Sequence, residues 1–313
     1  MVTYKIMQQM YAASILSRRI EQSTGTLKPD YKKEDCYKDA HFQGDVFSVS
    51  GGPSNINAGL VGVVELQITE EEMKKTGLSN TGIVVAFRGT EGLEDWKNNA
   101  ALVQKDWPYP KGKVHTGFSN SFDSLREKIT TQIDTLVKNH PNADIYVTGH
   151  SKGGALATLM GSYLHTKFKD RVRAVTFASP RVGNEEFSNN YMVKHYRIES
   201  FLDLVCHMPF TAQEHTLFPR HNPIYGSAII TFLKSLLDAA PYVPVGQRYA
   251  FKHKGSQRDR YLSLPMESDN SKRETLNSFV SILRALDEGK LMLVVNDVHN
   301  DDYDHIPPDI FKA

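Results

Sequence analysis

Hydrophobic positions along this chain recur with two periods, one typical of helices and one typical of strands. Apolar side chains spaced three or four positions apart predict amphipathic helices over residues 1–17, 121–140 and 229–240. Strands are predicted over residues 61–68, 82–88, 172–178 and 196–205, and the last of these ends near Asp203. The charged segment 70–76 predicts a short helix or turn, whereas the polar segments 28–39 and 51–55 predict a loop and a turn.

Strands that alternate with helices predict an α/β fold, with a doubly wound, mostly parallel sheet flanked by helices. The chain has 313 residues, of which 40% are hydrophobic, so it is long enough to bury a sizeable core. The sequence contains no internal repeat, low-complexity tract or evident linker. We therefore expect a single domain over residues 1–313.

The most informative segment is 145–157, Ile-Tyr-Val-Thr-Gly-His-Ser-Lys-Gly-Gly-Ala-Leu-Ala. It places the pattern Gly-x-Ser-x-Gly between a predicted strand and a predicted helix start. A serine on such a sharp turn is the nucleophile elbow of the α/β-hydrolase fold, and the flanking glycines avoid clashes with the neighbouring strand and helix. A glycine-rich turn that binds phosphate is the alternative, but the chain lacks the Gly-x-x-x-x-Gly-Lys-Ser/Thr pattern. Ser151 is therefore the predicted nucleophile for acyl transfer.

Several separate motifs carry a family resemblance. Residues 84–90 (Val-Val-Ala-Phe-Arg-Gly-Thr), 95–96 (Asp-Trp), 114–118 (Val-His-Thr-Gly-Phe), the elbow and 176–184 (Thr-Phe-Ala-Ser-Pro-Arg-Val-Gly-Asn) resemble the class 3, fungal-lipase-like family of α/β-hydrolases. The resemblance is strongest from about residue 60 to about residue 210. It implies hydrolysis of carboxylic esters, commonly acylglycerols and sometimes phospholipids, by a Ser-Asp-His triad with two backbone donors for the oxyanion.

The acid and the base of the triad should follow the serine in the chain order Ser, Asp/Glu, His. Asp203 lies at a predicted strand end between apolar residues, and its surroundings resemble the family's Asp-x-Val pattern. Cys206 stands where the family often has proline. Six histidines follow Asp203, namely His207, His215, His221, His253, His299 and His305. The segment Asp304-His305-Ile306 resembles the family's late Asp-His segment, so we favour His305 over His299 as the base.

The oxyanion donors are expected to be the backbone N–H groups of Lys152, which follows the nucleophile, and of Thr90. The family usually has leucine where this chain has Lys152. Two interpretations of the lysine side chain are open. Its ammonium pairs with a surface acid, or it lies near the mouth of the site and favours an anionic head group.

The lid of the family follows its Arg-Gly-Ser/Thr segment. Here that region is 91–99, in which Leu93 and Trp96 are apolar but most other side chains are charged or amides. A lid that opens at a lipid surface needs a broader apolar face, so we do not expect strong interfacial activation through this segment. The predicted helix 229–240 is a better candidate for contact with the acyl chain, although an ordinary core-facing helix has the same pattern.

Charge and composition narrow the remaining functions. The net charge is +1, from 37 basic and 36 acidic side chains, which argues against a nucleic-acid partner. No His-Glu-x-x-His run is present, so we expect neither a metal nor a cofactor. Cys36 and Cys206 are predicted to be free thiols. Without a recognisable signal peptide or an apolar run of membrane-spanning length, a cytoplasmic location is the default expectation, with leaderless export left open.

These observations predict a serine hydrolase that cleaves carboxylic esters of lipids, as a triacylglycerol lipase or esterase, through an acyl-enzyme intermediate. Its expected partner is a lipid or another acyl ester, with peripheral contact to a membrane or lipid surface. Phospholipase A1 activity is open as an alternative because it uses the same triad. A catalytically silent lipase-like protein that binds a lipid or a protein is the alternative from another class.

Overall fold

The computed structural model describes residues 2–89, 103–217, 239–254, 259–262 and 282. Its helices are α1 (Tyr4–Arg18), α2 (Asp35–Asp39), α3 (Glu70–Thr76), α4 (Thr116–Asn139), α5 (Lys152–Phe168), α6 (Glu185–Asn190) and α7 (Ala212–Leu217). Its strands are β1 (Phe47–Gly51), β2 (Asn57–Glu65), β3 (Thr81–Phe87), β4 (Gln104–Asp106), β5 (Lys113–His115), β6 (Asp144–His150), β7 (Val172–Phe177), β8 (Lys194–Ser200), β9 (Gln247–Lys254) and β10 (Asp259–Leu262).

Eight of these strands form one sheet in the order β1-β2-β3-β6-β7-β8-β9-β10. The central strands β3, β6, β7, β8 and β9 pair in parallel, and the outer pairs β1–β2, β2–β3 and β9–β10 are antiparallel. The predicted α/β fold with a mostly parallel sheet is therefore confirmed. The carboxyl ends of the parallel strands meet at one edge, where α/β proteins bind their ligands.

Helices cover both faces of the sheet. On one face, α4 and α5 pack their apolar side chains, including Phe122, Ile129 and Leu156, against Val85 and Val147 of the central strands. On the other face, α1 contributes Ile6, Met10 and Leu16 to a second cluster that contains Tyr146 and Phe177. Alternate residues of one strand thus enter different cores, which is why the central strands are apolar almost throughout. Among the described residues, no helix is long and apolar enough to cross a membrane.

Most predicted elements are present, with changed ends. The helix predicted over 121–140 begins earlier, at Thr116, because His115 caps it by accepting hydrogen bonds from the N–H groups of Gly117 and Phe118. The loop predicted over 28–39 is wrong. It contains a 3₁₀ turn and α2, which form because the rings of Tyr31 and Tyr37 pack together and Tyr37 stacks on Phe42.

Candidate active site

Ser151 lies on the sharp turn between β6 and α5. Its backbone has φ 55° and ψ −129°, a region that residues with a side chain rarely adopt. The N–H of Ser151 donates to the carbonyl of Phe177 at the end of β7, with 3.0 Å between N and O. The adjacent strand therefore holds the strained turn in place. This is the backbone geometry that a nucleophile elbow requires.

The elbow requires glycines because there is no space for a Cβ atom at these positions. A Cβ atom on Gly149 would lie 2.4 Å from the backbone of Gly153, and a Cβ atom on Gly153 would lie 2.2 Å from the carbonyl oxygen of Phe87 in β3. Neither distance is possible for real atoms, and in both cases the obstacle is backbone. The Gly-x-Ser-x-Gly pattern therefore reflects the close contacts between β3, β6 and the start of α5.

The segment after β3 passes directly beside the elbow. A Cβ atom on Gly89 would lie 2.7 Å from the carbonyl oxygen of His150 and 3.5 Å from Cβ of Ser151. Gly89 is thus in contact with the turn that carries the predicted nucleophile. Thr90, the predicted second oxyanion donor, is the next residue in the chain and lies outside the described residues.

Asp203 follows β8 and is completely buried. The predicted strand 196–205 ends earlier, at Ser200, and residues Leu204–His207 form a 3₁₀ turn that Asp203 caps. One carboxylate oxygen, Oδ1, accepts a hydrogen bond from the N–H of Val205 at 2.9 Å. The other, Oδ2, accepts from the thiol of Cys206 at 3.4 Å. Two donors from its own turn therefore fix the orientation of the Asp203 carboxylate.

The fold brings Ser151 and Asp203 to the same edge of the sheet. Ser151 follows β6 and Asp203 comes shortly after β8, and β7 lies between these two parallel strands. Neighbouring strands are about 4.8 Å apart, so the ends of β6 and β8 are roughly 10 Å apart across the sheet. A histidine side chain from another loop can bridge that distance. The strand order is therefore compatible with one imidazole between the serine and the acid.

The predicted base, His305, lies outside the residues that the structure describes. His299 and His221 also fall outside them, as does the side chain of His253. His207 and His215 are described, and both are close to Asp203 in sequence. His207 is buried, and its Nδ1 is 2.6 Å from Oε1 of Glu214. Burial lowers the pKa of His207 despite the neighbouring carboxylate.

Glu214 is the centre of a buried ionic cluster next to the 3₁₀ turn Leu204–His207. The guanidinium of Arg181 reaches both of its carboxylate oxygens, with Nη1–Oε2 at 2.5 Å and Nη2–Oε1 at 2.8 Å. Arg181 also donates to the backbone carbonyls of His207 and Pro209. Burial alone raises the pKa of Glu214, but Arg181 and His207 together bring it well below its ordinary value. The cluster ties α7 and the segment after β7 to the turn that contains Asp203.

The side chain of Lys152, for which the sequence left two interpretations open, is buried. It is 5% exposed, and its Nζ donates to Oδ1 of Asn57 at the start of β2, with 2.9 Å between the atoms. The ammonium is therefore buried and donates a hydrogen bond to an amide at the start of β2. Burial, and to a smaller extent the charge of Lys152, lowers the pKa of His115 to about 4. His115 therefore remains a neutral cap of α4.

Two further sequence predictions concern parts of the chain outside the described residues. The lid segment 91–99 is one of them. The other is the helix predicted over 229–240, of which only the last two residues are described. Both of these remain predictions. Cys36 and Cys206 are free thiols, as predicted.

Sequence analysis missed three residues that contact or support the site. Asn57 binds the lysine, the thiol of Cys206 binds the acid, and Glu214 anchors the following turn. Polar residues at strand ends and in loops are common, so none of them carries a distinct signal by itself. The clearest sequence signal belonged to Cys206, because this cysteine stands where class 3 lipases often have proline.

Part of the sequence, and most of the fold, are similar to those of known lipases. Residues 84–213 match the family model described as lipase (class 3). The chain is 34% identical over 107 residues to the secreted mono- and diacylglycerol lipase A of Penicillium cyclopium, covering 34% of this chain and 35% of that protein. It is 30% identical over 187 residues to phospholipase A1-Igamma2, chloroplastic, of Arabidopsis thaliana, covering 49% of this chain and 35% of that protein.

Among solved structures, the triacylglyceride lipase of Rhizomucor miehei aligns with a TM-score of 0.57 and covers 89% of this chain and 94% of that chain. The sequence identity in this alignment is 18%, so it establishes the α/β-hydrolase fold alone. The two sequence alignments span about a third of the length of the curated relatives.

Proposed function

Because residues 84–213 of this chain match the class 3 lipase family, we propose that the protein is a serine hydrolase that cleaves carboxylic esters of lipids. The observation that carries the proposal is the backbone of Ser151, which is strained at φ 55° on the turn between β6 and α5. Such strain is retained where it serves a function, and here it presents a serine at the ligand-binding edge of the sheet.

The reaction that this arrangement supports is acyl transfer through a covalent intermediate. Oγ of Ser151 attacks the ester carbonyl while the base histidine, for which we propose His305, takes the hydroxyl proton. The negatively charged oxygen of the tetrahedral intermediate accepts hydrogen bonds from the N–H groups of Lys152 and Thr90. The intermediate collapses to an acyl-enzyme, and the alcohol leaves with the proton from the histidine.

The second half of the reaction repeats these steps with water. The histidine takes a proton from water, which attacks the acyl-enzyme carbonyl. The carboxylic acid then leaves as Ser151 regains its proton. Asp203 orients the imidazole and stabilises its protonated form. Its carboxylate is suited to this role because the N–H of Val205 and the thiol of Cys206 hold both oxygens in place.

We propose acylglycerols as the substrate class, since the curated relative from Penicillium is named as a mono- and diacylglycerol lipase. The second candidate is a phospholipid cleaved at its first ester. It is favoured by the alignment with the phospholipase A1 of Arabidopsis, which covers 49% of this chain. The chemistry at Ser151 is the same for both, so only the region that binds the alcohol part of the ester separates them.

The test is hydrolysis by the purified protein of nitrophenyl esters of increasing chain length, and of emulsified triacylglycerol, diacylglycerol and phosphatidylcholine. We expect release of fatty acid from an acylglycerol, a preference for medium or long chains, and no hydrolysis by Asp203→Ala above about a thousandth of the wild-type rate. A faster reaction with phosphatidylcholine would favour phospholipase A1. The absence of hydrolysis on every substrate would favour a lipase-like binding protein.

A further inference from the structure

A buried lysine directly after a nucleophilic serine calls for a physical explanation. Removing an ammonium from water is costly unless hydrogen bonds replace its hydration. Lys152 is 5% exposed, and its described hydrogen-bond partner, Asn57, is 6% exposed. The apolar leucine that the resembling family usually has at this position would avoid the cost. The contact with Asn57 reduces this cost and restrains the position of the ammonium.

Asn57 is itself anchored on a second element. Its side-chain amide donates to Oγ of Ser124 in α4, with 3.1 Å between the atoms. The hydroxyl of Ser124 in turn donates to the carbonyl of Ser121 one turn earlier in the same helix, at 2.7 Å. A continuous chain of hydrogen bonds thus connects the ammonium of Lys152 to the backbone of α4. The end of the lysine side chain is bound to a rigid part of the fold.

The turn that precedes Asn57 is also held by a side chain from the segment after β3. The guanidinium of Arg88 donates to the carbonyls of Asn55 and Ile56, at 2.8 Å and 3.0 Å. Arg88 directly follows β3 and precedes Gly89, which contacts the elbow. The segment that follows β3 and the first residue of α5 are therefore both attached to the same turn at residues 55–57.

We propose that Lys152 is a positioning residue, whose ammonium, held by Asn57, fixes the backbone N–H of Lys152 for the oxyanion of the tetrahedral intermediate. The inference rests on the proposed function. The N–H of Lys152 is the first of α5, and the amides of a first helical turn point out of the N-terminus of the helix. Its direction depends on the strained turn at Ser151. The hydrogen bonds within α5 do not hold this turn, because it precedes the helix. The side chain of Lys152 is anchored outside the helix, on Asn57, and therefore restrains the turn.

The ammonium of Lys152 also affects the pKa of His115. Burial first, and then the positive charge of Lys152, lowers the pKa of His115 to about 4. Removing the ammonium while keeping its packing should therefore raise the midpoint at which the His115 imidazole titrates. This readout depends on where the ammonium lies and does not require the protein to be an enzyme.

The experiment compares Lys152→Met with the wild type and with Lys167→Met. Lys167 is an exposed lysine at the other end of the same helix, where its ammonium pairs with Asp134. The measurements are kcat and KM for a soluble nitrophenyl ester, the inhibition constant of a trifluoromethyl ketone that forms a tetrahedral adduct, and the thermal midpoint. Asn57→Ala is the second variant, since it removes the anchor and retains the lysine.

We expect Lys152→Met to lower kcat by about tenfold, because misplacing one oxyanion donor costs less than its loss, which is worth roughly a hundredfold or more. KM should stay within about twofold, and the affinity for the ketone should fall by the same factor as kcat. Asn57→Ala should give the same pattern, and Lys167→Met should match the wild type.

Two results would overturn the inference and leave the proposed function intact. One is an active wild type with kcat within about twofold in Lys152→Met, which would mean that the amide needs no anchor. The other is a loss in Lys152→Met without a loss in Asn57→Ala, which would mean that Asn57 does not position the lysine. If the wild-type protein hydrolyses no ester and its Ser151 does not react with a fluorophosphonate, the proposed function fails, and this inference fails with it.

Discussion

The thiol of Cys206 donates a hydrogen bond to Oδ2 of Asp203, with 3.4 Å between sulfur and oxygen. Both side chains are buried, and the N–H of Val205 occupies the other carboxylate oxygen. The carboxylate is thus oriented from within its own 3₁₀ turn. A proline at position 206, as the resembling family often has, could not supply a thiol to the acid.

Replacing this thiol should alter the pH dependence of hydrolysis. The hydrogen bond from Cys206 partly neutralises the carboxylate of Asp203. Without this bond, the carboxylate stabilises the imidazolium of the base histidine more strongly. We therefore expect Cys206→Ala to move the acid limb of the kcat/KM profile to higher pH by a few tenths of a unit. Cys36→Ala, at the other free cysteine, is the matched control and should leave the profile unchanged. An unshifted limb in Cys206→Ala would show that the thiol does not tune the acid.

Adding one methyl group to the elbow should damage the protein more than adding it further along the helix. A Cβ atom on Gly153 would lie 2.2 Å from the carbonyl oxygen of Phe87, whereas one on Gly161 would first meet a methyl group of Val147 at 3.2 Å. We expect Gly153→Ala to lower the free energy of unfolding by about 1–3 kcal/mol, as overpacking of a rigid site does. Urea unfolding measures the difference. Equal effects in Gly153→Ala and Gly161→Ala would argue against the close contact.

The Arg181–Glu214 pair should be costly to break and inexpensive to replace. Both side chains are 1% exposed, so removing one leaves a buried charge, at a cost of about 3–5 kcal/mol in unfolding free energy. We expect this loss in Arg181→Met and a substantial recovery in the double variant with Glu214→Met. Lys111→Met, which removes an exposed partner of Glu186, should change stability little. A double variant as unstable as the sum of its single variants would contradict this account.

Acidification should weaken the same cluster. Since the folded pKa of Glu214 lies below its ordinary value, its stabilising contribution is complete above that ordinary value and is lost as the pH falls toward the folded pKa. We expect the free energy of unfolding to decrease with falling pH over this acidic range, with a smaller slope in the Arg181→Met, Glu214→Met double variant. Urea unfolding at a series of pH values tests this. Equal slopes in both proteins would assign the acid sensitivity to other groups.

His115 should remain neutral at pH values where an ordinary histidine is protonated. Its pKa is lowered from 6.5 to about 4 by burial and by the charge of Lys152, so the unfolded chain takes up the proton first. Stability should therefore fall as the pH decreases from the ordinary value to the folded one, and depend no further on this group below it. NMR titration of the imidazole should give a midpoint near the lowered value. A midpoint near that of a free histidine would mean that His115 is solvated.

Local sequence signals were sufficient for the elbow and for most of the central sheet. A continuous apolar run predicted β3 closely, and the glycine pattern around Ser151 predicted the strained turn. The same signals failed where tertiary contacts decide the structure. The polar segment 28–39 folds because Tyr31 and Tyr37 pack near Phe42, and the strand before Asp203 ends early because the acid caps its own turn.

Long-range polar contacts were beyond the reach of local patterns. The bond from Lys152 to Asn57 joins residues 95 positions apart, and the bond from Arg181 to Glu214 joins residues 33 positions apart. Periodicity does not encode which buried polar group meets which. The elbow pattern indicated Ser151, and the resemblance to a known family indicated Asp203 and His305. These roles, those of Lys152 and Thr90 as oxyanion donors, and the single domain over residues 1–313 remain predictions.

Covalent labelling with a serine-reactive probe tests whether Ser151 is the nucleophile. The protein is treated with a fluorophosphonate, digested, and the modified peptide is located by mass spectrometry, with Ser151→Ala treated in parallel. We expect one adduct on Ser151, formed in step with the loss of ester hydrolysis, and neither labelling nor hydrolysis in the variant. Labelling of another residue, or hydrolysis that persists in Ser151→Ala, would contradict it.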